Sequence, residues 1–169
     1  DVPGFFQYTI GNNTSLSEAI DIIQSLENTT PQAAWLLIKL TGEMGTEIGQ
    51  PIYLVGGRVR DLLSGVPSDH QDLDLVVEGD AIAVAQSLAD TNGGSIVKHS
   101  HFNTAKYTSS NVSIDLASAR TEEYAKAGAL PNVKPGLIEA DLMRRDFTVN
   151  AMALHLSPPN IGKLVDPSN

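Results

Sequence analysis

Two aspartates one residue apart, Asp72 and Asp74, stand in the alternating stretch Asp72-Leu73-Asp74-Leu75-Val76-Val77. On a strand, residues i and i+2 project from one face with their backbones about 6.5 to 7 Å apart. Leu73, Leu75 and Val77 then point the other way, into a core. Two carboxylates held this close on a rigid element repel unless a cation joins them, and oxygen ligands on a fixed scaffold suit magnesium. A solvent-facing edge strand carrying two harmless acids fits the same pattern.

A second feature precedes the aspartates. Gly56-Gly57 separates the apolar run Pro51-Ile52-Tyr53-Leu54-Val55 from a short helical pattern beginning at Arg58. A turn without side chains between strand and helix lets backbone N–H groups and the positive helix end meet a phosphate. It resembles half of a dinucleotide fingerprint, but Arg58-Val59-Arg60-Asp61 occupies the place of the further glycine, so a Rossmann reading fails. Arg60, one helical turn past Gly57, is placed either to bind the same anion or to pair with Asp61. The third feature is Arg144-Arg145-Asp146-Phe147-Thr148-Val149-Asn150-Ala151-Met152-Ala153. Adjacent arginines at a helix C-terminus are explained by the helix dipole alone. The dipole does not explain Asp146, Thr148 and Asn150 alternating onto one side of an extended segment.

The elements that position these groups follow from the pattern of apolar residues. Residues 1 to 15 read as a tail. Leu16, Ile20, Ile23 and Leu26 recur at helical spacing behind a cap at Ser15 or Ser17, with Glu18 following, and predict a helix to about Glu27. Pro31 opens a second helix ending near Gln50 at Gly45 and Gly49. From Pro51 the pattern changes to short strands and helices: strands at 51–55 and 72–77, a helix from Asp80 as cap over Ala81 to Ala89, and strands near 95–99, 103–108 and 112–117. The last two form a hairpin across Ser109-Ser110-Asn111. Residues 119–136, with Gly128, Pro131, Pro135 and Gly136, read as irregular; a helix over Leu137–Arg144 and a strand over Asn150–Leu156 follow. The predicted division is an N-terminal tail and helical linker at 1–50 and a head domain at 51–169.

Composition narrows the function classes. With 169 residues the chain has a prior of about one domain. Having no cysteine, it holds no disulfide, thiolate metal site or cysteine nucleophile; a reducing, cytoplasmic compartment is the default expectation. The longest apolar run, Ala33–Ile38, is far too short to span a bilayer, and the N-terminus has no signal-peptide pattern. The missing initiator Met is read as the mark of a piece of a longer chain. A net charge of −9 argues against a general nucleic-acid coat. All five arginines, Arg58, Arg60, Arg120, Arg144 and Arg145, fall in three clusters after residue 50, as anion contacts or as salt bridges. His70, His99, His101 and His155 have no metal-ligand spacing and read as surface or structural groups.

In this order, Gly56-Gly57-Arg58-Val59-Arg60-Asp61-Leu62-Leu63, Asp72-Leu73-Asp74, Ile114-Asp115-Leu116-Ala117-Ser118-Ala119-Arg120-Thr121-Glu122-Glu123-Tyr124, the Arg144–Ala153 stretch and Leu164-Val165-Asp166-Pro167 resemble the head domain of the bacterial class II tRNA nucleotidyltransferase and poly(A) polymerase family. The resemblance implies an α+β, polymerase-β-like nucleotidyltransferase fold: a small mixed sheet with helices packed on one side, here preceded by two N-terminal helices. It implies a reaction in which the 3′-hydroxyl of tRNA or another RNA attacks the α-phosphate of CTP or ATP. On this resemblance Asp72 and Asp74 hold two Mg²⁺, Gly56, Gly57 and Arg60 hold the triphosphate, Arg145 contacts the nucleotide, and Asp146 and Asn150 read the ribose. Asp115 is either a third catalytic carboxylate or the partner of Arg120. The segment Val66–Gln71 before Asp72 is slightly longer than the family pattern. The family's base-selecting Asp and Arg and its main tRNA-binding surface belong to helical domains beyond Leu164-Val165-Asp166-Pro167. A nucleotide-binding or assembly module that performs no transfer by itself stays open as the alternative function.

Overall fold

A computed structural model of the chain describes residues 14–66, 72–145 and 151–167. Ser15 caps helix α1 (Leu16–Thr29) through a reciprocal capping box with Glu18, satisfying two terminal amides at once. Helix α2 (Gln32–Ile48) ends at Gly49, whose φ of 69° supplies the left-handed residue that stops it. Strand β1 (Ile52–Val55), helix α3 (Gly57–Ser64) and strand β2 (Asp72–Val77) follow. Asp80 then caps α4 (Ala81–Asn92) by accepting from the Ala83 amide. Strands β3 (Ser95–His99), β4 (Thr104–Ser109) and β5 (Val112–Ser118) form a meander. The chain continues through β6 (Arg120–Glu123), β7 (Asn132–Pro135), α5 (Ile138–Met143), β8 (Ala153–His155) and β9 (Leu164–Val165).

Seven strands make one mixed sheet in the order β3-β4-β5-β2-β1-β8-β9. Only the β2–β5 pair in it is parallel. Its two faces differ in chemistry. Ile52, Leu54, Leu73, Leu75, Val77, Ile114 and Leu116 join residues of α1 to α4 in the main apolar core. The opposite face carries a smaller cluster, Tyr53, Val55, Val76 and Ala153 packed on Ile138 and Leu142 of α5. The acidic positions of β2 fall on this second, thinly covered face.

The irregular segment expected at 119–136 is instead a two-stranded sheet, β6 paired with β7 in the register Arg120↔Pro135 to Glu123↔Asn132. Pro135 and Gly136 punctuate the sequence like strand breakers. Pro135 is the last residue of β7, an edge strand in which proline is tolerated, and Gly136 follows it, while Lys134 closes an ion pair of 2.8 Å onto Glu123 between the strands. Strand β9 also went unread, being only two residues long. Helices α1 and α2, separated from the rest by sequence pattern, feed the same core: Ile22, Leu26, Trp35, Leu37 and Ile38 pack with the sheet. Helix α2 approaches the chain after β8 so closely that a Cβ on Gly42 would collide with the Leu156 carbonyl oxygen.

His155, on β8, lies against the Tyr53 ring at 4.5 Å and accepts a hydrogen bond from the Ser157 amide through Nδ1. Burial, together with the nearby Lys163 charge, holds its imidazole below the usual histidine range. The unfolded chain therefore binds a proton that the folded chain resists, and stability falls as pH drops below about 6.5. Thermal melting of wild type and His155→Asn between pH 7.5 and 5 should show the wild-type midpoint dropping relative to the variant on acidification. A constant difference would refute this account.

Candidate active site

Strand pairing builds the site. In the sheet register Val55 faces Asp74, Asp74 faces Asp115, Asp115 faces Lys106 and Lys106 faces Val97. One row thus crosses β1, β2, β5, β4 and β3 on the face opposite the main core. Asp72 stands two residues before Asp74 on the same face, both exposed, while Leu73 and Leu75 are buried behind them. A cleft of about 530 Å³ opens over this row, lined by Asp74, Asp115, Lys106, Arg145, Thr104 and His99 among others. The alternative partner considered for Asp115 is overturned: its carboxylate lies 3.8 Å from Lys106, and Arg120 pairs with Glu122 at 3.3 Å.

The glycine turn adjoins these acids. Gly56 has φ 83° and ψ −157°, a conformation essentially confined to glycine, and a Cβ there would sit 3.4 Å from Asp74 Oδ2. No side chain caps α3, so its first amides and positive end are open beside the Asp74 carboxylate. The Arg60 guanidinium folds back over Gly57, 3.2 Å from where its Cβ would be, while holding Asp61 at 3.1 Å. Both positions read for Arg60 are thus close together. Around Asp74 the balance is acidic: desolvation pushes its carboxyl above the usual range, and Asp115 and Asp72 push the same way against Arg145 and Lys106.

Helix α5 supplies the arginines. Asp141, fully buried on α5, accepts from Arg145 at 3.0 Å and from Arg144 at 3.3 Å, and its second oxygen also takes the Arg120 amide that starts β6. One carboxylate therefore ties both arginines to the β6–β7 sheet. Arg144 turns toward Glu122, whereas Arg145 lines the cleft. The Arg145 Nε is buried without a hydrogen-bond partner among the described residues. Asp146 and Asn150, read as ribose contacts, lie outside the described residues, as do residues 67–71 before Asp72.

Asp141 and Lys106 were missed in the sequence, although each had a signal. Asp141 stands three and four residues before Arg144 and Arg145, the spacing of one helix face. Lys106 follows from the β4–β5 hairpin, whose Ser109↔Val112 closing pair sets Lys106 opposite Asp115. Arg58, grouped with the anion-binding arginines, instead bonds Thr29 and Thr30 at the α1–α2 junction and is buried there.

Magnesium is compatible with this donor set. Among the described residues no three His, Cys, Asp or Glu side chains enclose an ion. Magnesium, however, commonly takes one or two carboxylates and completes its shell with water and substrate phosphates. Asp74, with Asp72 and Asp115 repelling it on one open face, offers carboxylates of that kind.

Residues 52–169 match the family model for the poly A polymerase head domain. An A-adding tRNA nucleotidyltransferase of Halalkalibacterium halodurans is 46% identical over 148 residues, which are 87% of this chain and 34% of that protein. A CC-adding tRNA nucleotidyltransferase of Deinococcus radiodurans is 40% identical over 114 residues, 67% of this chain and 30% of that one. The solved structure of a CCA-adding enzyme in an apo form superposes with a TM-score of 0.77 at 38% identity, over 86% of this chain and 34% of that chain. The chain thus spans about a third of the length of these relatives.

Proposed function

From the premise that the chain belongs to the poly(A) polymerase head-domain family, we propose that it is the catalytic head of a magnesium-dependent RNA 3′-terminal nucleotidyltransferase. It transfers CMP or AMP from CTP or ATP to the 3′-hydroxyl of a tRNA or tRNA-like RNA. The observation that carries this reading is the row of Asp74 and Asp115 beside an open helix N-terminus, in a cleft that Arg145 also lines. A hydroxyl oxygen attacks the α-phosphorus, the bond from that phosphorus to the bridging oxygen breaks, and pyrophosphate leaves with the electron pair. The hydroxyl proton passes to solvent.

The chain's residues divide this work by position. The Gly56–Gly57 amides, the positive end of α3 and Arg60 hold the triphosphate. Arg145, fixed by Asp141, orients the nucleotide over the carboxylates. Asp72 and Asp74 would hold Mg²⁺, with Asp115 as a third carboxylate beside them, and the bound ion would supply the positive charge that favours an ionised attacking hydroxyl and a departing pyrophosphate. Asp146 and Asn150 address the ribose on the family pattern. Such an RNA-processing enzyme works in the cytoplasm; among the described residues no helix is long and apolar enough to cross a membrane.

None of these groups presents a donor and acceptor pattern fitted to one base edge. Relatives with A-, CC- and CCA-adding names share this head, which supports a base-neutral site. Calorimetric titration of the 169-residue chain with CTP, ATP and GTP in Mg²⁺ should give affinities within about tenfold of one another, or 1.4 kcal/mol. Its charge of −9 leaves it little affinity for tRNA in a gel shift. Absence of nucleotide binding would refute the assignment, and a strong preference for one base would place a base reader within the head.

A further inference from the structure

The site has a direction. The glycine turn and the start of α3 adjoin Asp74 on the β1 side of the row. Arg145 reaches the same cleft from the end of α5, which packs on Tyr53 and Val55 of β1, Val76 of β2 and Ala153 of β8 and is tied through Asp141 to the Arg120 amide. The glycine turn and the start of α3, suited to hold phosphates and the leaving pyrophosphate, thus lie on one side of the carboxylates. In-line displacement requires the attacking oxygen to enter from the opposite side of the transferred phosphorus. In this sheet the opposite side is the run from Asp115 on β5 to Lys106 on β4 and Val97 on β3.

Lys106 is the one lysine or arginine among the described residues lining that end of the cleft. Neighbouring strands are about 4.8 Å apart, so it stands one strand spacing beyond Asp115. Its ion pair with Asp115 is long, 3.8 Å, and both side chains are about half exposed, so the pair holds the ammonium only weakly. A nucleotide has its 3′-hydroxyl and 5′-phosphate at opposite ends of its sugar, so an RNA end entering from the β4 side with its 3′-hydroxyl over Asp115 would bring that phosphate toward Lys106. Resting on the transferase reading of the carboxylates, we propose that Lys106 binds the phosphate joining the last two nucleotides of the RNA 3′ end. It is a positioning contact for the RNA substrate and takes no part in holding the incoming nucleotide.

The test uses the full-length protein, steady-state extension of a tRNA primer, and Lys106→Ala and Lys106→Arg. Lys106→Ala should raise KM for the primer about tenfold, as for a lost charge-assisted contact. KM for the incoming nucleotide should stay within about twofold of wild type, and Lys106→Arg should recover most of the primer affinity. A primer with a neutral methylphosphonate at its last linkage should lose about tenfold in affinity for wild type and almost nothing for Lys106→Ala. Melting midpoints establish that the variants fold. Equal loss with the methylphosphonate primer in wild type and Lys106→Ala would overturn the inference while leaving the transferase reading intact. A shift confined to kcat and nucleotide KM would do the same, leaving Lys106 only as the counter-charge of Asp115. No transfer by wild type would remove both.

Discussion

Replacing Asp74 or Asp72 by Asn should stop nucleotide transfer and leave the domain folded. Both carboxylates project from the sheet face opposite the main core, so neither substitution creates a cavity among Leu73, Leu75 and their neighbours. Losing one metal-holding carboxylate removes several kcal/mol of charge stabilisation at the transition state; at about 4 kcal/mol the rate falls roughly a thousandfold. Stability should respond the other way. Asp74 is held above the usual carboxylate range by desolvation and by Asp115 and Asp72, so its charged form is unfavourable in the metal-free fold. Asp74→Asn should therefore melt at the same temperature as wild type or higher without Mg²⁺, and Mg²⁺ should stabilise wild type more than the variant. Primer extension and melting in the same preparations check this; near-normal extension by either variant would remove these acids from the site.

Arg145→Ala should weaken CTP and ATP binding by about 1.5 to 3 kcal/mol, far more than Arg144→Ala. Adjacent residues after α5 diverge: Arg145 lines the carboxylate cleft, whereas Arg144 reaches Glu122. Asp141 makes the comparison sharper. Its two oxygens hold both guanidinium groups and the first amide of β6, so Asp141→Asn disturbs Arg145 without touching the cleft. Nucleotide titration should rank the losses Arg145→Ala, then Asp141→Asn, then Arg144→Ala. Equal losses for the two arginines would mean that the cleft does not separate them.

The acidic strand was legible in the sequence because Asp72 and Asp74 alternate with Leu73, Leu75 and Val77, and the apolar Val76 on the acidic face does not disturb that assignment. The β1–Gly56–Gly57–α3 turn was legible for a related reason, since two glycines between an apolar run and a helical pattern leave few alternatives. Side-chain partners across the sheet were harder. Asp115 was weighed against nearby Arg120, but alternation sends its side chain across the ladder to Lys106, nine residues earlier in sequence. Asp141 escaped notice because an acid in an amphipathic helix ordinarily faces solvent, and only tertiary packing shows it buried beneath two arginines. The β6–β7 sheet was lost to its own punctuation. The N-terminal helices carried amphipathic faces, but what those faces cover, the same core as β1 and β2, is a long-range fact that periodicity does not contain.

The central claim is that this cleft moves a nucleotide onto an RNA 3′ end, and the most direct measurement follows the phosphorus. The full-length protein is given tRNA lacking its 3′ terminus, Mg²⁺, and CTP or ATP labelled at the α-phosphate, and both labelled RNA and released pyrophosphate are counted. Our account predicts one pyrophosphate for each labelled nucleotide joined to the RNA, with both signals abolished together by Asp74→Asn. Nucleotide consumed without label entering RNA, or label entering RNA at an undiminished rate in Asp74→Asn, would contradict it.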